Sequence, residues 1–158
     1  MADETLNQPI EIFYSYAHRD ERLRKRLEDH LAVLRRRGLV AGWHDRDIDA
    51  GTEWKTQIDT HLQTAQIILL LISGSFLASD YCYELEMKVA LERHDRREAR
   101  VIPIILRPCL WKDAPFARLQ VLPRDGKPVT AWPSPDEAFL SVAEGILAVV
   151  KHMRGEAH

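Results

Sequence analysis

A chain of 158 residues suits one domain around a single core, and 46% hydrophobic with 29% charged residues marks it as globular rather than disordered. A formal net charge of −2 argues against bulk attraction to nucleic acid or an anionic membrane, and the longest apolar run, Ile67 to Ile72, is too short to span a bilayer. Two cysteines without a C-x-x-C pair and seven histidines without ligand spacing indicate neither a disulfide framework nor a zinc site, and fit a reducing, cytoplasmic setting.

The polar, acidic start "MADETLNQP" does not read as a signal peptide. Residues 1–8 are expected to be a flexible leader, 9–154 the folded domain and 155–158 a flexible tail. "IEIFYSY" (Ile10 to Tyr16) reads as a first strand, rich in aromatic and β-branched residues. "HRDERLRKRLEDHLAVLRRRG" reads as one helix with a stripe of Leu23, Leu27, Leu31 and Leu34, stopped at Gly38. Its arginines are interleaved with Glu and Asp, as on a solvated helix face rather than a nucleic-acid surface. "LVAGWH" is a short second strand, and the Asp- and Gly-dense "DRDIDAGTEW" is a loop. "EWKTQIDTHLQTA" reads as a helix with Trp54, Ile58 and Leu62 on one side and Thr52 as a possible N-cap.

"QIILLLIS" and "VIPIILR" (Val101 to Arg107) are continuous apolar runs of strand length, the pattern of strands buried on both faces. Between them a helix is expected from about Tyr81 to His94. A Pro- and Trp-rich loop follows (Pro108 to Pro128), then a short strand near Val129. The last helix opens on "SPDE", with Ser134 as N-cap, Pro135 at N1 and Glu137 at N3. Phe139, Val142, Ile146 and Val149 form its apolar face.

Strand and helix thus alternate about five times, which predicts a parallel sheet with helices on both faces. Ligands of such folds bind beyond the carboxyl ends of the strands, near a switch in strand order. "SYAHRD", "DRDIDAGTEW", "SGSFLASDYCYELE" and "RPCLWKDAPF" follow strand ends and are the candidate walls. No glycine fingerprint follows the first strand, so an ordinary dinucleotide fold is not expected. A G-x-S-x-G elbow is missing, and Ser73 and Ser75 read first as turn formers and caps. A phospho-receiver would need an acidic cluster after the first strand and an Asp after the third, which "YSYAH" and "LISGS" do not supply.

"FYSYAHRDE", "WHDRDIDAGTEWKTQI", "AQIILLLISGSFLASDYCYELEM" and "VIPIILRP", in this order and spacing, resemble the Toll/interleukin-1 receptor (TIR) domain in its bacterial form, over about residues 9 to 152. The resemblance implies a flavodoxin-like three-layer α/β/α fold with a five-stranded parallel sheet. It implies cleavage of NAD+ at the nicotinamide–ribose bond, giving nicotinamide and ADP-ribose or a cyclic ADP-ribose. The setting would be bacterial antiviral or innate immune signalling, switched on by assembly. The alternative is a non-catalytic scaffold that signals through TIR–TIR contact. NAD+ as substrate and other TIR domains are the implied partners, with no further cofactor, no metal, no directly bound nucleic acid and no membrane.

The enzymes of the family use a glutamate early in the third helix, in a pattern like Trp-Cys-x-x-Glu-Leu. Tyr81-Cys82 stands where Trp-Cys would, so the matching position is Leu85, with Glu84 before it and Glu86 after. At about 100° per residue, Cys82, Leu85, Glu86 and Val89 fall on one arc, and Glu84 lies opposite, near Lys88. A carboxylate beside an apolar stripe is costly to bury unless paired or functional, which favours Glu86 over Glu84. A local bulge would bring Glu84 round instead. Such a carboxylate would stabilise the oxocarbenium-like ribose left as nicotinamide departs.

Tyr14, Ser15 and Tyr16 could stack on a base or bond a phosphate, and Ser73 and Tyr81 stand at the third strand's end. Arg46 offers a phosphate fork, or pairs with Asp45, Asp47 or Asp49. Trp54 either lines the cleft or, the simpler expectation, anchors the second helix in the core. Asp47, Ile48, Asp49, Ala50 and Gly51 resemble the family's BB loop, an assembly element that gates the site, with Ala50-Gly51 where Pro-Gly is frequent. Cys82 reads as core filling.

Overall fold

The structure, a computed structural model, describes residues 8–44 and 50–155. Most of the expected leader and tail, and Arg46, Asp47, Ile48 and Asp49 of the second loop, lie outside the described residues. Four strands are formed: β1 (Ile10–Ser15), β2 (Val40–Trp43), β3 (Ile67–Ile72) and β4 (Arg100–Ile105). All pair in parallel, in the order β2-β1-β3-β4. The helices are α1 (Glu21–His30), α2 (Ala32–Arg36), α3 (Trp54–Thr64), α4 (Gly74–Ala78), α5 (Met87–Asp95) and α6 (Pro135–Met153).

The two-residue period of a strand builds the three layers. Ile12, Leu69, Leu71, Ile102 and Ile104 pack with Leu27 of α1 and Phe139, Val142 and Ile146 of α6. Phe13, Ile68, Leu70, Ile72 and Val101 pack on the other face with Ile58 and Leu62 of α3 and Ala90 and Leu91 of α5. Every residue of β3 is fully buried, as its unbroken apolar run predicts.

Three local expectations are corrected. Residues Val129–Ala131 form a 3-10 turn, so among the described residues the sheet has four strands rather than five. The place beside β4 is taken by a single bridge between Ile104 and Leu122, with Leu122 N donating to Pro103 O at 2.9 Å and Ile105 N to Leu122 O at 2.8 Å. Pro123 follows immediately and has no N–H to extend the ladder. The first helix breaks at Leu31 (φ −96°, ψ 5°) into α1 and α2, yet Leu23, Leu27, Leu31 and Leu34 stay buried as one stripe. Gly38, at φ +72°, ends it as expected. The N-cap of α3 is Glu53, not Thr52, and makes no side-chain capping bond. The cap of α6 is as expected, with Ser134 Oγ accepting from Glu137 N at 3.4 Å.

The arginine-rich tract is ion-paired. Arg24 is buried and donates to Glu21 at 2.8 Å and Glu28 at 2.7 Å, and Lys25 meets Asp29 at 3.0 Å. Burial alone would raise the Glu28 carboxyl, but the hydrogen bond and charge of Arg24, helped by Lys25 and His44, hold it below its ordinary value. A depressed carboxyl contributes stability above its unfolded value and loses it as pH falls through the folded one. Glu28→Gln is therefore expected to cost about 1 kcal/mol at neutral pH and to flatten the acid side of a melting-temperature profile taken down to about pH 3. An acid limb as steep as the parent's would contradict this.

Candidate functional site

β1 is flanked by β2 and β3, and the chain winds to opposite sides of it, so the switch in strand order lies at β1 and β3. A cleft of about 540 Å³ opens there, at the carboxyl ends of the strands. Phe13, Tyr14, Tyr16, Ala17 and His18 line it from β1 and the turn after it. Trp54 and Ile58 line it from α3, and Ser79, Tyr81, Cys82 and Glu86 from the segment between α4 and α5.

That last segment is not the regular helix expected. Tyr81–Glu86 forms a π-turn, and Met87 N donates to Cys82 O, five residues back. Each residue of a π-turn advances the chain by less than the roughly 100° of an α-helix. Leu85 therefore falls short of the inner face and is 52% exposed, which overturns its place on the buried arc. Glu86 comes onto that face and is only 6% exposed. The expected effect of a bulge, to bring Glu84 inward, is likewise not what occurs. Glu84 is exposed and lines a separate groove with Tyr83, Lys88 and Arg118.

The carboxylate of Glu86 has a buried partner. Ser15 Oγ donates to Glu86 Oε1 at 2.7 Å. Strand alternation turns Tyr14 and Tyr16 to the α1 side and Ser15 to the α5 side, which is why Ser15 reaches the acid. Ser15 itself is not among the residues that line the cleft. The two tyrosines are held from behind. The Arg24 guanidinium lies 5.6 Å from each ring centroid, and the Tyr16 hydroxyl donates to Glu21. Burial alone would lower the Arg24 guanidinium, but hydrogen bonds to Glu21 and Glu28 outweigh it and hold it above its ordinary value.

Ser73 is fully buried and does not line the cleft. Its hydroxyl accepts from Phe76 N as the cap of α4 and donates to Asp20, in keeping with the reading of Ser73 as a cap. Of its two readings, Trp54 takes the cleft position and not the core one. It stands at the first position of α3, ahead of the stripe of Ile58 and Leu62, and is 56% exposed at the cleft rim. Its ring centroid is 5.6 Å from that of Tyr81, tilted by 53°. Ala50 and Gly51 are exposed, and Gly51 at φ +86° holds a conformation that favours glycine. Cys82 is buried, as expected, and also forms part of the cleft wall.

Two features escaped the sequence. His18 lines the cleft, and Asp20, fully buried, ties the turn after β1 to Ser73 and to Arg107, whose Nε donates to it at 2.9 Å. The only signal was an acid within "SYAHRD", five residues past the end of β1 at Ser15. No group of three or more His, Cys, Asp or Glu able to hold a metal occurs among the described residues, and no described helix is long and apolar enough to cross a membrane.

Residues 12–134 match the family described as TIR domain. This chain belongs to the TIR domain family. A relative of Sinorhizobium fredii (strain NBRC 101917 / NGR234), the uncharacterized protein y4lF, is 56% identical over 135 residues, which are 85% of this chain and 42% of that relative. This TIR domain therefore spans less than half the length of that relative. Among solved structures it is similar to the TIR domain of the Toll-related receptor TRR-2 of Hydra magnipapillata, with a TM-score of 0.62 at 18% identity, covering 89% of this chain and 97% of that one. It is also similar to the TIR domains of the activated Roq1 resistosome directly recognizing the pathogen effector XopQ, with a TM-score of 0.54 at 20% identity, covering 85% and 84%. The RPS4 and RRS1 TIR domain heterodimer gives a TM-score of 0.51 at 12% identity, covering 87% and 96%. At these identities the likeness is one of fold.

The π-turn accounts for which side chain of this segment faces inward. Counting from Tyr81, an α-helix would bring the fourth residue on, Leu85, to the inner face. One extra residue in the turn brings the fifth, Glu86, to that place instead.

Proposed function

We propose that this TIR domain cleaves NAD+ at the nicotinamide–ribose bond, releasing nicotinamide and leaving ADP-ribose or a cyclic ADP-ribose, when copies assemble in a bacterial defence response. The reading rests on Glu86, a buried carboxylate in the wall of an aromatic-lined cleft at the strand-order switch. In the reaction the C–N bond to the ribose breaks, and its electron pair leaves with nicotinamide. The pyridinium is already a good leaving group, so one carboxylate suffices without a paired general acid. Positive charge then spreads over the ring oxygen and anomeric carbon, and an ionised Glu86 opposes it in a site of low effective dielectric. Water adds to the anomeric carbon and gives up a proton, or a nitrogen of the adenine closes the cyclic product. Trp54 and Tyr81 supply π-faces at the rim for a flat ring.

Incubating the concentrated protein with NAD+ and measuring nicotinamide release tests this. Release that grows with forced clustering supports it. No release from clustered protein overturns it and leaves the scaffold role. The π-turn offers a second check. Deleting Leu85 converts the π-turn to an α-turn, with Glu86 now four residues from Tyr81 and α5 still in register. Turnover is expected to stay within about ten-fold of the parent, whereas a one-residue deletion in a regular helix rotates everything beyond it by about 100°. A folded but inactive deletion variant would show that the π-turn does not set the acid's position.

A further inference from the structure

Resting on the assignment of Glu86 to the ribose, we infer that Ser15 is a positioning residue for that carboxylate, fixing its orientation through a buried hydrogen bond. Ser15 is the last residue of β1, in register with Leu70 of β3, and is fully buried. It therefore sits on a buried, paired strand of the sheet. An ionised carboxylate can only accept, so the serine hydroxyl must donate, and its 2.7 Å bond to Oε1 is charge-assisted.

Glu86 needs such a partner. It ends the π-turn, and a glutamate side chain has several rotamers to choose among. A donor anchored in the central strand favours one of them, because a rotamer that turns away from it gives up that buried bond. The tie spans 71 positions of sequence and joins the two sides of the strand-order switch. It reassigns Ser15 from substrate contact to support of the acid that meets the substrate.

Two variants of the full chain test this. Ser15→Ala removes the hydroxyl with little change of volume, and Ser15→Cys keeps the size but donates weakly. Both are expected to lower kcat for NAD+ by about ten- to thirty-fold, to change KM by less than about two-fold, and to keep the melting temperature within a few degrees. Full kcat in either variant overturns the inference, since packing would then be what matters at this position. A kcat loss accompanied by a fall of more than about ten degrees in melting temperature overturns it as well, by marking Ser15 as structural only. A readout without substrate separates this from the function itself. The side-chain carboxyl carbon of Glu86, assigned through Glu86→Gln, is expected to shift or broaden in Ser15→Ala. An unchanged resonance refutes the tie, whether or not the parent releases nicotinamide.

Discussion

Glu86→Gln is expected to reduce nicotinamide release by about a hundred- to a thousand-fold while the protein stays folded. Glutamine has the same length, and its amide oxygen can still accept the hydroxyl of Ser15, so the buried contact survives. The negative charge is lost and one acceptor oxygen becomes an amide donor, and in the proposed mechanism that charge opposes the developing oxocarbenium. Glu84→Gln is expected to stay within about two-fold of the parent, because that side chain is exposed in another groove. The measurement is steady-state turnover of NAD+ by each variant, with a melting curve alongside. An active Glu86→Gln together with an inactive Glu84→Gln would reverse the assignment.

The second large effect concerns stability. Arg93→Ala is expected to destabilise the fold by about 3 kcal/mol or more, read from urea unfolding. Arg93 is buried in α5, and its Nη1 donates to both Leu62 O and Ala65 O at 2.7 Å, while Nη2 donates to Glu98 O at 3.1 Å. Two of these carbonyls lie at the carboxyl end of α3, where the last turn leaves acceptors without helical partners and the dipole is negative. One planar guanidinium thus closes a helix end and pins α3 to α5. Arg93→Lys is expected to recover only part of the loss, because a single ammonium cannot reproduce the fork. A cost below about 1 kcal/mol would mean that water serves these carbonyls equally well. The effect reaches the cleft, since α3 also carries Trp54 and Ile58.

The layered fold was legible because periodicity records burial directly. The six-residue run of β3 can only be a strand covered on both faces, and that is where it lies. The apolar stripe of α1 and α2 was equally plain, but the break at Leu31 was not, since a stripe continues across a change of backbone angle. The missing fifth strand depends on Pro123 falling beside the one residue that pairs with β4. Trp54 was misplaced for a similar reason. Periodicity assigns a residue to a side of a helix, but whether the first residue of that helix is covered depends on what packs over its end. In the site, a carboxylate flanking an apolar stripe pointed to Glu86, although the arc that suggested it also held the exposed Leu85. The hydrogen bond from Ser15 had no sequence signal, because it joins residues that only the sheet order brings together.

The π-turn bears on how TIR chains are sorted into enzymes and scaffolds. A comparison made column by column would place Leu85 under the acid and class this chain as a pseudoenzyme. On the proposed assignment, the π-turn moves the acid by one position in the text and still turns it to the inner face. If Glu86 proves to be the acid, chains with leucine in that column and an acid directly after it become candidates for turnover, with the aromatic-Cys pair before the turn as the landmark from which to count five rather than four.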